Sequence, residues 1–315
     1  MISRRSAILA ALAPMAGAQV AIDPRQKPAP PKEKDQQPNV NLRVGTNLVL
    51  IPVSVNDALM RPITGLEKEN FRLFDDRAEQ SIAQFAMEDE PVAVGLVFDT
   101  SGSMGSKLSR SRLAARAFFR TGNEGEDEYF LVEFDDRPRL STPLTTDTGQ
   151  IESQLLFSKS HGSTALLDAL LLAINEMHKS KKKKKALLVI SDGGDNHSRY
   201  STSEVQKVIR ESDVLIYAIG VFGGGSTNEE FGGPELLTKI AESTGGRMYE
   251  AVAFDLPDIA KKIGIDLRNR YILGYYPKNA VSDGKYHRVD VRLVPPRGLP
   301  KLQAHWRTGY FAPIE

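Results

Sequence analysis

The amino-acid sequence predicts an α/β fold, in which a doubly wound and mostly parallel sheet is inserted in a smaller β-sandwich-like domain. Two stretches in the middle of the chain, 92–98 and 186–190, are continuously apolar. Such runs are typical of strands that helices cover on both faces. Helical patterns alternate with them, which indicates βαβ units with right-handed crossovers. The flanks, 42–90 and 270–315, instead show strand patterns separated by turn residues.

These patterns divide the 315 residues into five segments. Residues 42–90 and 270–315 are each short for an independent β domain, so we expect them to form one domain together. The segment between them, 91–269, is the predicted α/β domain. Residues 19–41 are rich in Pro, Lys, Gln and Asp and are expected to be a disordered linker. Residues 1–18 are expected to be a signal peptide.

The elements are predicted from the spacing of apolar residues and from the turn residues between them. Strands are expected at 48–55, 71–74, 82–85, 92–98, 129–134, 186–190, 214–221, 248–249, 271–276, 289–294 and 302–310. Helices are expected at 105–119, 163–178, 202–212, 234–242 and 256–269. Glycines at 223–225 and 232–233 flank an expected mobile loop.

The N-terminus has the features of an export signal. Arg4-Arg5 precedes the apolar run Ala7–Ala13 and then Ala16-Gly17-Ala18, which is similar to a signal cleavage site. Cleavage there leaves Gln19 as the first residue of an exported protein, periplasmic or extracellular. The paired arginines favour twin-arginine export, but Ala7 stands where that signal usually has a bulky apolar residue, so Sec export stays open. After cleavage no transmembrane segment is expected.

Composition argues against two classes of function. The 41 basic and 40 acidic residues leave a net charge of +1, whereas nucleic-acid binders usually carry a basic excess. We therefore expect no nucleic-acid partner. The chain has no cysteine, which excludes disulfides, thiolate catalysis and zinc bound by cysteine.

Side chains with oxygen atoms cluster where the apolar strands end. Asp99, Ser101 and Ser103 follow the strand at 92–98, and Asp192 follows the strand at 186–190. In open α/β sheets, ligands bind beyond the carboxyl ends of the strands. Hard oxygen donors suit Mg²⁺, Mn²⁺ or Ca²⁺ better than zinc. The alternative for 99–103 is a Ser/Gly turn capped by Asp99 that leads into a helix.

The spacing of these residues resembles the metal-ion-dependent adhesion site of von Willebrand factor type A domains. The family pattern is Asp-x-Ser-x-Ser, a distant Thr and a distant Asp. Asp99, Ser101, Ser103, Thr164 and Asp192 match it in order, and the resemblance covers about Val92 to Ile265. The order of the segments and Gly309-Tyr310-Phe311 also resemble exported bacterial proteins related to this family.

The resemblance implies that these five residues bind one divalent ion, with Mg²⁺ expected and Mn²⁺ or Ca²⁺ possible. It also implies that a Rossmann-like sheet carries the ion and that an Asp or Glu side chain of a protein partner completes its coordination. We expect the Asp99 carboxylate to face a solvent-accessible cleft rather than the core. Asp192 is expected to bind the ion directly or through water.

The expected function is therefore an exported, metal-dependent protein-binding module for adhesion or complex assembly. It is not expected to be an enzyme, because the sequence shows no clear nucleophile–base pair near the metal. A metal-dependent hydrolase is one alternative. The other is an envelope scaffold in which the metal orders the loops.

Four further polar residues near the predicted site are weaker candidates. Asp168 and Asp195 are expected to have structural roles, on the helix after Thr164 and beside Asp192. His161 and His197 flank the site loops, but the set of oxygen ligands is complete without them.

Overall fold

The structure, a computed structural model, describes residues 48–88, 90–222, 232–251, 255–278 and 283–313. The predicted signal peptide, the predicted linker and most of the glycine-rich segment 223–233 lie outside the described residues.

Fourteen strands and six α-helices are described in these ranges. In chain order they are β1 (Val49–Asn56), β2 (Phe71–Asp75), β3 (Ala78–Gln80), β4 (Ile82–Glu88), β5 (Val92–Asp99), α1 (Leu108–Phe119), β6 (Glu128–Phe134), β7 (Pro138–Thr145), α2 (Thr148–Phe157), α3 (Leu166–Met177), β8 (Lys184–Ser191), α4 (Thr202–Glu211), β9 (Leu215–Gly220), α5 (Gly233–Ser243), β10 (Met248–Glu250), α6 (Leu256–Arg268), β11 (Arg270–Tyr275), β12 (Tyr286–Leu293), β13 (Gln303–Trp306) and β14 (Gly309–Phe311).

The central sheet has six strands in the order β10-β9-β8-β5-β6-β7. All neighbours run parallel except β7, which is antiparallel to β6. Apolar side chains of α1, α2 and α6 cover one face, and those of α3, α4 and α5 cover the other. The fold class predicted from the sequence, a mostly parallel sheet flanked by helices, is therefore confirmed.

Strand β5 lies at the centre of this sheet, and all eight of its residues are buried. Its sequence suits this position because it places apolar side chains on both faces, with Leu96 and Phe98 on one and Ala93 and Val97 on the other. At Gly95, a Cβ atom would fall 2.2 Å from the ring of Phe130 on β6. Glycine therefore lets the Phe130 ring pack directly against the backbone of β5.

Two four-stranded antiparallel sheets flank the central sheet in sequence, with the orders β13-β1-β11-β4 and β14-β12-β2-β3. Each sheet combines strands from before β5 with strands from after α6. Leu73, Tyr271 and Val291 are among the side chains that form the core between the two sheets. Together these sheets form the β-sandwich-like part of the fold.

A buried carboxylate joins this β part to the central sheet. Asp266 on α6 accepts hydrogen bonds from Ser54 and Asn56 of β1 and from the hydroxyl of Tyr217 on β9. Burial, together with the negative charge of Asp266, raises the pKa of Tyr217 well above its usual value, so this hydroxyl stays protonated. Through these hydrogen bonds, α6 is linked both to β1 of the β part and to β9 of the central sheet.

The predicted strand at 302–310 is wrong as a single element. The chain forms β13 in one sheet and β14 in the other, and it changes sheets at Arg307 and Thr308. At that step the indole Nε1 of Trp306 donates to the Val289 carbonyl at 3.0 Å, which links β13 to the opposite sheet. The alternating pattern of residues continues through the crossing, so it did not reveal the break.

Three elements, β3, β7 and α2, are not predicted from the sequence. Strand β7 contains Pro138 and Pro143 and is largely polar, which suits its place at the edge of the sheet but hides it from a pattern search. Two helices, α1 and α3, begin three residues later than predicted, at Leu108 and Leu166.

Across the part of the chain that the structure describes, none of the helices combines the length and apolar character needed to cross a membrane.

Candidate metal site at the end of the parallel sheet

The carboxylate of Asp99 lies at the carboxyl end of β5, where β5 is flanked by β6 and β8. One oxygen, Oδ1, accepts from the Ser101 amide at 2.8 Å, and Oδ2 accepts from the Ser191 hydroxyl at 2.6 Å. The residue is 0% exposed. The expectation that Asp99 faces a solvent-accessible cleft is therefore wrong: the strand ends beneath its own loop, and the loop amide and Ser191 enclose the carboxylate.

Burial makes the ionised form of Asp99 costly. The pKa of this carboxyl is raised to about 6: desolvation is the main cause and the charge of Asp192 adds to it, while hydrogen bonds from Ser101 and Ser191 act in the opposite direction. Asp99 and Asp192 are at the carboxyl ends of the neighbouring parallel strands β5 and β8, so their negative charges repel each other. A cation between them would remove that repulsion.

Ser101 and Ser103 lie in the loop above Asp99. Their hydroxyl oxygens are 3.0 Å apart, and a turn of 3-10 helix, Gly102–Met104, holds them in this position. Ser101 is buried, Ser103 is partly exposed and Gly102 is exposed. The two hydroxyls therefore extend from the buried carboxylate toward the surface.

Thr164 lies in the loop before α3, and this loop is bonded to the other two. Its carbonyl accepts from the amides of Asn196 and His197, both at 3.0 Å, and its amide donates to the Asn196 side chain at 2.8 Å. On the other side, the Gly102 amide donates to the Gly162 carbonyl at 3.0 Å. The loops that carry Ser101, Thr164 and Asp192 thus form one hydrogen-bonded group.

Asp192 follows β8 and is held by a close backbone approach. The next residue, Gly193, has φ +78°, and a Cβ atom there would lie 2.6 Å from the backbone of Gly233 at the start of α5. Glycine is needed both for this conformation and for the contact. The Oδ2 atom of Asp192 lies 3.1 Å from the ammonium of Lys107, whose side chain is 11% exposed.

These observations fit a divalent cation. The five predicted residues offer two carboxylates and three hydroxyls, the hard oxygen donors that Mg²⁺, Mn²⁺ and Ca²⁺ prefer. Direct hydrogen bonds connect the loop of Asp99, Ser101 and Ser103, and loop contacts bring Thr164 and Asp192 beside it. Their assignment as metal ligands stays a prediction.

The weaker candidates have identifiable contacts. Asp168 accepts from the amides of Arg199 and Tyr200 at 3.0 and 3.3 Å, and Asp195 accepts from the Leu167 amide at 3.3 Å and from the Ser198 hydroxyl. Both carboxylates therefore hold the loop after β8 against α3. The exposed His161 lies with Nε2 3.5 Å from Asp135.

Sequence reasoning missed two side chains of this site. Ser191 contacts Asp99 directly, and the only sequence signal was a serine at the end of an apolar strand just before Asp192. Lys107 carried no signal, because a lysine near the start of a helix is ordinarily a surface residue. Its approach to Asp192 depends on how α1 packs.

We expect Lys107→Met to tighten Mg²⁺ binding by about tenfold, because it removes a cation a few ångströms from the site. The same change is expected to destabilise the metal-free protein by roughly 1–3 kcal/mol, since it leaves the buried Asp192 without its ion pair. Isothermal titration with Mg²⁺ and urea unfolding in EDTA measure the two effects. Lys183→Met, at an exposed lysine paired with Glu90, is the control. Weaker Mg²⁺ binding would show that Lys107 supports Asp192 rather than competing with the ion.

The molecule is thus an α/β protein with an open sheet, and acidic and hydroxyl side chains lie where its central strands end. Residues 94–194 match the family model of the von Willebrand factor type A domain. This match confirms the resemblance stated from the sequence over that part of the chain.

Two known proteins are similar to this chain. An uncharacterized protein of Borreliella burgdorferi is 25% identical over 203 residues, which cover 54% of this chain and 58% of the relative. The chain therefore matches little more than half the length of that protein. A solved structure, von Willebrand factor type A from Catenulispora acidiphila, superposes with a TM-score of 0.50 at 12% identity and covers 88% of this chain and 76% of that one. This likeness shows the fold alone.

Proposed function

We propose that the protein is a metal-dependent protein-binding module. A divalent ion, Mg²⁺ by the chemistry of its donors, binds Asp99, Ser101, Ser103, Thr164 and Asp192, and an Asp or Glu side chain of a partner protein completes its coordination. The observation that carries this proposal is the buried Asp99 carboxylate, which lies close to a second acid and beneath two hydroxyls that lead to the surface.

The balance of charge supports an acidic partner. Two carboxylates neutralise a divalent ion, and the ammonium of Lys107 beside Asp192 then leaves an excess of positive charge at the site. A carboxylate arriving from outside finds that charge in a mostly buried setting, where electrostatic attraction is stronger than in water. A neutral or cationic side chain gains nothing comparable.

The proposal is for a binding site and not for an enzyme. The groups hydrogen-bonded to Asp99 are an amide and a hydroxyl, which hold the carboxylate and are poor proton acceptors.

We also propose that the protein is exported, with the sequence of residues 1–18 as the support. Adhesion and complex assembly are both compatible with such a module.

The test is metal-dependent capture of partner proteins by the immobilised protein. We expect envelope proteins of the source organism to be retained in Mg²⁺, released by EDTA, and retained at least tenfold less by Asp99→Asn. Treating the envelope fraction with a carbodiimide and glycinamide, which converts its carboxylates to amides, is expected to abolish capture. Capture that survives both EDTA and this treatment would refute the proposal.

A further inference from the structure

A second group of metal-ligating side chains lies in the β part, at the end of β2. Asp75, Asp76 and His287 each offer one ligand atom, and these three atoms all lie within 4.8 Å of one another. The Nδ1 atom of His287 is 2.9 Å from Oδ2 of Asp76 and 3.8 Å from Oδ1 of Asp75. This cluster lies in the sheet β14-β12-β2-β3, whereas Asp99 lies in the central sheet.

Asp75 supplies the observation that points to a ligand. The residue is 6% exposed, and its Oδ2 atom accepts from the hydroxyls of Tyr275 and Tyr310 at 2.9 and 3.1 Å. Its Oδ1 atom is buried and has no hydrogen-bond partner among the described residues. A buried carboxylate oxygen without a donor is costly. The Oδ1 atom of Asp75 faces the same nitrogen of His287 that Asp76 contacts.

His287 is held as metal-bound histidines are held. Its side chain is 15% exposed, and its ring stacks on Tyr310 with the centroids 5.5 Å apart. On the far side of the ring, Nε2 lies 3.5 Å from Oδ1 of Asp283. A carboxylate that accepts from one ring nitrogen fixes the tautomer in which the other nitrogen is free to bind a metal.

The spacing and charge suit a transition-metal ion. Zinc bonds to nitrogen and oxygen are near 2.1 Å, so tetrahedral ligand atoms lie roughly 3.4 Å apart, between the two distances measured from Nδ1. Three carboxylates surround one imidazole, and a nearby cation, the ammonium of Lys285, lies 3.5 Å from Asp283. A mixed nitrogen and oxygen set favours Zn²⁺ over Mg²⁺.

We propose that Asp75, Asp76 and His287 bind one Zn²⁺ ion, with Asp283 as the residue that positions His287. Such an ion would link the β2–β3 turn to β12, and solvent would fill its remaining position. The proposal is independent of the function proposed for the site at Asp99.

The test is isothermal titration of Zn²⁺ into the full, untagged chain carrying Asp99→Asn, which removes the predicted ligand of the other site. We expect one Zn²⁺ per chain. A further His287→Ala change is expected to lower the affinity at least 100-fold, and Asp283→Asn about tenfold. His178→Ala, at an exposed histidine just after α3, is the control and is expected to leave the affinity unchanged.

Asp76→Ala provides a second test if His287→Ala does not fold, since Asp76 is exposed at a turn. It is expected to cause a similar loss of Zn²⁺ and to weaken the visible absorption of Co²⁺ bound in its place. The absence of Zn²⁺ binding in the Asp99→Asn chain, or equal affinity after His287→Ala or Asp76→Ala, would overturn the proposal. Binding of Mg²⁺ by the unmodified chain is a separate readout, so failure here does not affect the proposed function.

Discussion

Asp99→Asn is expected to make the metal-free protein more stable and to abolish its response to Mg²⁺. A pKa raised to about 6 means that keeping this carboxyl ionised at pH 7 opposes folding. The difference of about two units from the unfolded chain corresponds to about 3 kcal/mol. An asparagine keeps an acceptor for the Ser101 amide and carries no charge.

The pH dependence has a definite sign. Well below pH 4 the carboxyl is protonated in both the folded and the unfolded chain, so its charge costs nothing. As the pH rises from about 4 to 6, the unfolded chain ionises first, and the stability of the metal-free protein falls. The gain from Asp99→Asn should therefore be full at pH 7 and vanish near pH 4. Binding of Mg²⁺ should weaken below pH 6, where a proton occupies the ligand.

Thermal unfolding in EDTA and in Mg²⁺ measures both effects. The unmodified protein should melt several degrees higher with Mg²⁺, whereas Asp99→Asn should melt at one temperature in both buffers, above that of the unmodified protein in EDTA. Ser103→Ala is the control, because it removes one neutral donor and should weaken Mg²⁺ binding without stabilising the metal-free protein. An Asp99→Asn protein that still gains stability from Mg²⁺ would exclude Asp99 as a ligand.

Asp266→Ala is expected to destabilise the protein by about 3–5 kcal/mol, because three buried donors lose their acceptor. These donors are Ser54, Asn56 and Tyr217, and they belong to both parts of the fold. Urea unfolding, followed by circular dichroism, measures the change. Asp266→Asn keeps one oxygen acceptor and should lose less stability, so it provides the test if the alanine variant does not fold.

The matched control for this change is Asp258→Ala on the same helix. The Asp258 side chain is 63% exposed and pairs with Lys262 at 2.8 Å, one helical turn away. Such a surface pair contributes about 0.3–0.5 kcal/mol. If Asp266→Ala were as mild as Asp258→Ala, the buried carboxylate would not be what fastens the β part to α6 and the central sheet.

The central sheet could be predicted because its strands are apolar on both faces. Strands β5 and β8 are buried along nearly their whole length, and such runs stand out in a sequence. The edge strand β7 could not be found in this way, because Pro138, Pro143 and its polar residues are what an exposed edge tolerates. Likewise, the step from β13 to β14 depends on pairing with two different sheets, which local pattern does not encode.

The residues of the candidate site could be predicted from their spacing in the sequence, but the burial of Asp99 could not. The positions of Asp99 and Asp192 follow from strand ends, since the carboxyl ends of neighbouring parallel strands meet at one edge. That Asp99 is enclosed depends on Ser191 and on the loop that folds over the strand end. The position of Lys107 and the cluster around His287 depend on tertiary packing, since β2 and β12 lie about 200 residues apart in the chain.

Anomalous diffraction from a crystal soaked in Mn²⁺ tests the central claim most directly, because it locates the ion rather than inferring it. We expect a peak at the carboxyl end of β5, about 2.0–2.6 Å from oxygens of Asp99, Ser101 and Ser103, and its loss in Asp99→Asn. A crystal that shows no peak beside Asp99 at saturating Mn²⁺, or an undiminished peak there in Asp99→Asn, would contradict it.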